Sequence, residues 1–147
     1  MVTYSNKFLK CISFVLDREG RAYEHTPGDA GGETKYGICK RDHPNLDIKN
    51  LTEQQATDIY FRDYWAPLNC DSYDDKLALA VFDTSVNNGK ETAALLIAKF
   101  NGKPFTMQDF LFKRLRVYMN IVQAKPKNMK FLMDWVLRVV KCYEYQG

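Results

Sequence analysis

The stretch AYEHTPGDAGGETKYGI, residues 22–38, holds four of the chain's eight glycines and one of its five prolines. Glycine and proline at that density break helices and mark turns. The alternating Tyr, Thr and Ile around them read as short strands. A small hairpin or three-stranded ribbon is expected here. Everything else in the chain has helical spacing, so any sheet must lie in this one place.

Helix 1 is expected from about Ser5 to Glu19, with Phe8, Ile12 and Val15 recurring at spacings of four and three. Gly20 is placed to end it in a left-handed conformation. LTEQQATDIYFRDYW opens with a capping box, Thr52 to Gln55, with Leu51 as a staple. DDKLALAVFDTSVNNG starts at an Asp cap and stops at Gly89, and KETAALLIAKFNG stops at Gly102. Two more helices open at Thr106 and Asn128, and Pro126 lies beyond the end of the first. The expectation is about six helices and one β element. That is a predominantly α-helical α+β fold, one domain over residues 1–147.

A 46% hydrophobic composition with 14% aromatics supplies a core and argues against disorder. The net charge of +3 is too mild to mark a nucleic-acid binder. The four cysteines, at 11, 39, 70 and 142, form no CxxC pair and no disulfide framework, so free thiols are expected. Cys39 and His43 are four apart, and His25 and Cys70 could join them. No second pair has the short spacing of a zinc site, so no metal or cofactor is expected. The early apolar stretch FLKCISFVL is short, is broken by Lys10 and lacks a cleavage site. It reads as an amphipathic helix, neither signal peptide nor membrane span. The protein is therefore expected to be made in the cytoplasm, without stable membrane insertion.

Within DREGR, Glu19 is the charge of most interest. At about 100° per residue, Glu19 falls on the apolar stripe of Phe8, Ile12, Val15 and Leu16. Arg18 and Arg21 should point elsewhere. Partial burial and the negative end of the helix dipole both favour a carboxyl that keeps its proton, as a general acid must. The alternative is a structural carboxylate that caps a loop or pairs with Arg21. Asp29 and Thr34 follow ten and fifteen residues later, with Gly31 and Gly32 between them. They can fold back towards the helix end. Two carboxyls across a cleft are the equipment for cleaving a glycosidic bond. Asp29 before glycines also forms turns for purely local reasons.

The segment EGRAYEHTPGDAGGETKYGI resembles the signature of the family-108 glycoside hydrolases, N-acetylmuramidases of bacteria and phages. The resemblance continues in order through LTEQQATDIYFRDYW, VFDTSVNNG and DWVLRVV, over nearly the whole chain. It implies a lysozyme-like fold and cleavage of the β-1,4 bond after N-acetylmuramic acid in peptidoglycan. It assigns Glu19 the catalytic acid's role, with Asp29 and Thr34 as helpers. It departs at Arg21, where the family has glycine, at the turn HTP, and at Asp134, where the family has glycine before the late tryptophan. A phage or prophage endolysin released by a holin, or a secretion-related wall hydrolase using an export system, would fit such a chain.

Several further residues have two readings. Trp65, beside Tyr64, either stacks on a sugar or packs in the core. Tyr36 lines the cleft or packs on helix 1. Asp83 and Asn87 share a helix face, and with Asn88 they suit hydrogen bonding to sugar groups or ordinary helix ends. The basic cluster FKRLR, residues 112–116, reads as a solvated face, or as a contact to anionic wall. A monomer acting alone on peptidoglycan is expected, with no nucleic-acid partner. The rivals are an inactive lysozyme-like protein that binds wall or another protein, and a helical nucleic-acid binder using residues 112–116.

Overall fold

The computed structural model describes residues 3–147. The described residues form six α-helices and one small sheet: α1 (Asn6–Glu19), β1 (Glu24–His25), β2 (Glu33–Lys35), β3 (Ile38–Cys39), α2 (Glu53–Tyr60), α3 (Asp75–Asn88), α4 (Lys90–Ala98), α5 (Met107–Ala124) and α6 (Met129–Glu144). The caps explain most boundaries. Ser5, Thr52, Asp74 and Thr106 each accept a hydrogen bond from a first-turn backbone N–H, and Thr52 and Thr106 complete capping boxes with Gln55 and Asp109. Asn128 precedes α6 but its side chain caps nothing; a short 3-10 turn from Pro126 leads into that helix instead.

Gly20 ends α1 with φ 85° and ψ 152°, not in the left-handed helical region that the sequence suggested. Only glycine takes that backbone state readily, and it turns the chain directly towards the sheet. The three strands pair antiparallel in the order β1-β2-β3, with Thr34 opposite Glu24 on one side and Cys39 on the other. Lys35 pairs with Ile38, so Tyr36 and Gly37 form a two-residue turn. Both have positive φ, 52° and 76°, the signature of a type I′ hairpin turn.

The core lies where α3 meets α1, α5 and α6. Nine consecutive residues of α3, Leu77 to Ser85, are buried, so this helix is enclosed on all sides. Phe8, Trp65 and Phe82 pack edge to face or tilted at 5.2–5.8 Å between ring centres. α2 does not stop cleanly but runs into a π-helical turn, Phe61–Trp65, which carries Trp65 inward against Phe8. The Trp65 indole N–H donates to Asp71, and Asp71 also accepts from the Ser5 hydroxyl. That carboxylate ties the start of α1 to the segment after α2.

The hairpin turn is pressed onto the end of α1. A Cβ added at Gly37 would stand 2.7 Å from Cβ of Glu19 and would also collide with the Tyr60 hydroxyl. The same hydroxyl donates to the Tyr36 carbonyl at 2.9 Å. Gly37→Ala is therefore expected to cost about 2–4 kcal/mol from overpacking and positive φ together. Gly28→Ala, at φ 84° with open space around it, should cost only about 1 kcal/mol. Urea unfolding of the two variants beside the wild type measures the difference. Equal losses would mean that the close approach at Gly37 carries no energetic weight.

Candidate active site

Glu19 closes α1 with its carboxyl 23% exposed. Its Oε1 lies 2.9 Å from Nη1 of Arg138, which arrives from α6. The other guanidinium nitrogens of Arg138 grip Asp83: Nη2 donates to Oδ1 at 2.8 Å and Nε at 3.1 Å. Oδ2 of Asp83 takes Nη1 of Arg114 at 2.7 Å, and both side chains of that pair are fully buried. Arg114 continues to the Tyr118 hydroxyl at 3.0 Å and to Asn87 at 3.2 Å. A chain of alternating charge thus runs from the partly exposed Glu19 into the core, joining α1, α6, α3 and α5.

Electrostatics hold this chain together. Burial works against an ionised Asp83, yet Arg114 and Arg138 more than offset it and its carboxyl lies below the ordinary carboxylate value. Burial likewise opposes the charge on Arg138, and Asp83 and then Glu19 outweigh it, raising that group further. The two carboxylates balance the two guanidiniums. No buried side-chain nitrogen or oxygen lacks a hydrogen-bond partner among the described residues.

The arginines beside Glu19 in sequence do point away from it. Arg21 pairs with Asp17 and, at 3.4 Å, with Glu53. Arg18 lies over the Phe14 ring. The cation at the acid is Arg138, 119 positions further along the chain by their numbers, and Arg21 takes no part.

Thr34 sits half-buried in the central strand. Directly opposed residues share a sheet face, so Glu24 and Cys39 flank it on the same side. The Cys39 thiol donates to Asp42 at 3.0 Å. Asp29 lies exposed in the turn after β1, where its Oδ1 accepts the Gly31 N–H at 3.1 Å and its carbonyl accepts from Gly32. Neither a hydrogen bond nor an ion pair joins Asp29 to Glu19 among the described residues. Tyr36 is half-buried in the tight turn, and the Lys35 ammonium lies over its ring.

Burial corrects two expected sugar contacts, Trp65 and Asp83, while Asn87 and Asn88 stay half-buried. Trp65 is 1% exposed and offers no ring face to a substrate. Asp83 is wholly enclosed and is committed to two arginines. Asn87 and Asn88 are half-buried, and both side-chain oxygens meet the Tyr118 hydroxyl, at 2.7 and 3.1 Å. What remains of Asn87 borders a groove of about 410 Å³ with Asp17, Arg18, Asp134, Trp135, Leu137, Arg138 and Lys141.

Beside Trp65, Tyr64 stays partly open to solvent. It is half-buried, packs on Tyr60 at 5.7 Å, and lines a hollow of about 260 Å³ with Asp42, His43, Asp63 and Lys90. Burial, then the charges of Asp42, Asp63, Cys39 and Glu19, push its phenol up. The π-turn explains the exchange of roles with Trp65, because an extra residue in one turn rotates the side chains that follow.

Sequence reasoning missed Arg114 and Arg138, yet a signal was present. Arg114 lies four after Phe110 and four before Tyr118, on the buried stripe of α5 rather than the solvated face expected of FKRLR. Arg138 lies three after Trp135 and four before the buried Cys142. An arginine in phase with core residues calls for a buried acid, and Asp83 has the matching phase in α3. All four cysteines are free thiols. No group of three or more His, Cys, Asp or Glu able to hold a metal occurs among the described residues.

Two outcomes follow from Asp83. Asp83→Asn leaves two buried guanidiniums against each other and should cost about 3–5 kcal/mol in denaturant unfolding. The pH dependence has a definite sign. The Asp83 carboxyl is depressed in the folded protein, so on acidification the unfolded chain binds the proton first. Stability then rises with pH in that window. The contribution is complete above the ordinary value of 3.8 and is lost as pH falls through the lower folded value. Chemical unfolding from about pH 6 to about pH 2 should show this loss in wild type. Asp83→Asn should lack that component; an identical acid profile would remove Asp83 from the explanation.

The comparisons with known proteins concern the fold and the family. A solved structure of SagA from Brucella abortus superposes with a TM-score of 0.73 at 21% identity, covering 92% of this chain and 91% of that one. At that identity the likeness concerns the fold, and the fold is the α+β, predominantly helical, lysozyme-like one expected from the sequence. No curated protein matches. The family model for glycosyl hydrolase 108 matches residues 12–89, more than half of the chain, and that span includes Glu19, the whole hairpin and α3 up to Gly89. This chain belongs to glycoside hydrolase family 108.

Proposed function

We propose that this protein hydrolyses peptidoglycan, cleaving the β-1,4 bond between N-acetylmuramic acid and N-acetylglucosamine with Glu19 as general acid. The observation that carries the reading is the setting of Glu19. Inside the family-matched span, one carboxyl whose side chain is 23% exposed is clamped between the Tyr36–Gly37 turn and Arg138. Arg138 engages Oε1 and leaves Oε2 to reach the leaving oxygen. A carboxyl fixed in this way loses little freedom when it meets the bond to be cleaved.

Asp29 serves as the second carboxylate, with Oδ1 tied to Gly31 N–H and Oδ2 turned to the sugar or a water. Thr34, on the strand that leads from Asp29 to the turn, orients the water. Tyr64 and Tyr36 supply aromatic surface along the cleft. A holin or an export system would carry the protein to the wall, as an endolysin or a secretion-related hydrolase.

A second reading is favoured by the same ion pair. Glu19 already serves as a structural anion for Arg138, so a lysozyme-like protein that binds wall without cutting it also fits. Reducing-sugar release from purified peptidoglycan separates the two. Wild type should release sugar, and Glu19→Gln should lower the rate by about 10²–10⁴-fold while still co-sedimenting with the wall. No release by wild type, with binding intact, would favour the inactive reading. Equal release by the variant would remove Glu19 from the acid's role. Asp29→Asn and Thr34→Ala should each lower the rate without loss of fold, and the anomer released distinguishes retention from inversion.

A further inference from the structure

The outer face of α6 carries apolar side chains with nothing packed over them. At about 100° per residue, Met129, Met133, Val136, Leu137, Val140 and Tyr143 fall within about 120° of one another. Met133 is 75% exposed, Met129 59% and Leu137 46%. The core-facing side of the same helix holds Arg138, Val139 and Cys142, so this stripe has no part in the fold. A continuous apolar face on the surface of a soluble domain marks an interaction site.

Four charges lie along one flank of that stripe: Lys130, Asp134, Lys141 and Glu144. None of them forms an ion pair within the chain among the described residues. Their order along the helix is plus, minus, plus, minus. In an antiparallel helix pair related by a two-fold axis, the same flank of each helix faces its copy. With the axis beside Leu137, Lys130 of each copy meets Glu144 of the other, and Asp134 meets Lys141. Every flanking charge then faces its opposite. In a parallel pair this flank faces the other flank of the copy, which carries Leu132 and Val139 and no charge.

We infer that α6 is a self-association surface, and that its occupant is a second copy of this chain packed antiparallel through Met133, Leu137 and Val140. It differs from the monomer expected from the sequence. The charged flank borders the groove that also holds Arg138 and Trp135. Association therefore covers one wall of the groove behind Glu19. One helix face gives an interface at the small end of the range, below about 1,200 Å², so the dimer is weak and depends on concentration.

Sedimentation equilibrium tests this. Wild-type mass should rise from 17.1 kDa towards twice that value between roughly micromolar and millimolar protein. Leu137→Glu should stay monomeric with unchanged far-ultraviolet dichroism. Lys130→Glu should weaken the dimer by about 3–10-fold, and adding Glu144→Lys should restore it, because each swapped charge regains an opposite. A monomer at every concentration overturns the proposal, as does a double swap that fails to restore association. Pelleting of monomer with phosphatidylglycerol vesicles, without any self-association, would assign the face to a membrane instead.

Discussion

The pairing of Arg138 with both Glu19 and Asp83 is the constraint on which the rest of the site depends. Arg138 is largely buried, and a buried guanidinium without full pairing is costly. It has one carboxylate below it in the core and one at the cleft edge. Asp83 cannot change without stranding two arginines, and Arg138 cannot move without releasing Glu19. The position of the candidate acid is thus set by helices at the far end of the sequence.

A second constraint acts from the opposite side. The Tyr36–Gly37 turn lies against Glu19 and Tyr60, and its positive φ values fix how the hairpin meets the helix. Gly37 is required twice, for its backbone state and for the missing Cβ. The glycine-rich stretch therefore supplies more than flexibility. One glycine lets two elements touch where a side chain would hold them apart, and that contact sets the hairpin against Glu19.

Much of the fold was legible because its determinants are local. Capping residues at 5, 52, 74 and 106 state where helices begin, and Gly20 and Gly89 state where two of them stop, while α4 ends at Ala98, short of the expected Gly102. The phase of helix 1 placed Glu19 at the edge of the core without knowledge of its partners. Of the two readings of Trp65, core packing is the one the structure shows, through a π-turn after α2 that nothing in LTEQQATDIYFRDYW announces. Asp83 and Asn87 were correctly read as sharing a face, but the face points inwards, because α3 is enclosed on every side.

The sequence by itself determined the helices, the place of the only sheet among the described residues, and the position of Glu19 at the end of α1, since periodicity, caps and turn residues act over a few positions. It also carried the family motif. Only the tertiary structure decided what Glu19 meets. Arg138, Asp83, Arg114 and Gly37 are brought together by packing across more than a hundred residues. Whether a charged side chain is solvated or buried depends on the neighbour that covers it, which no local pattern specifies.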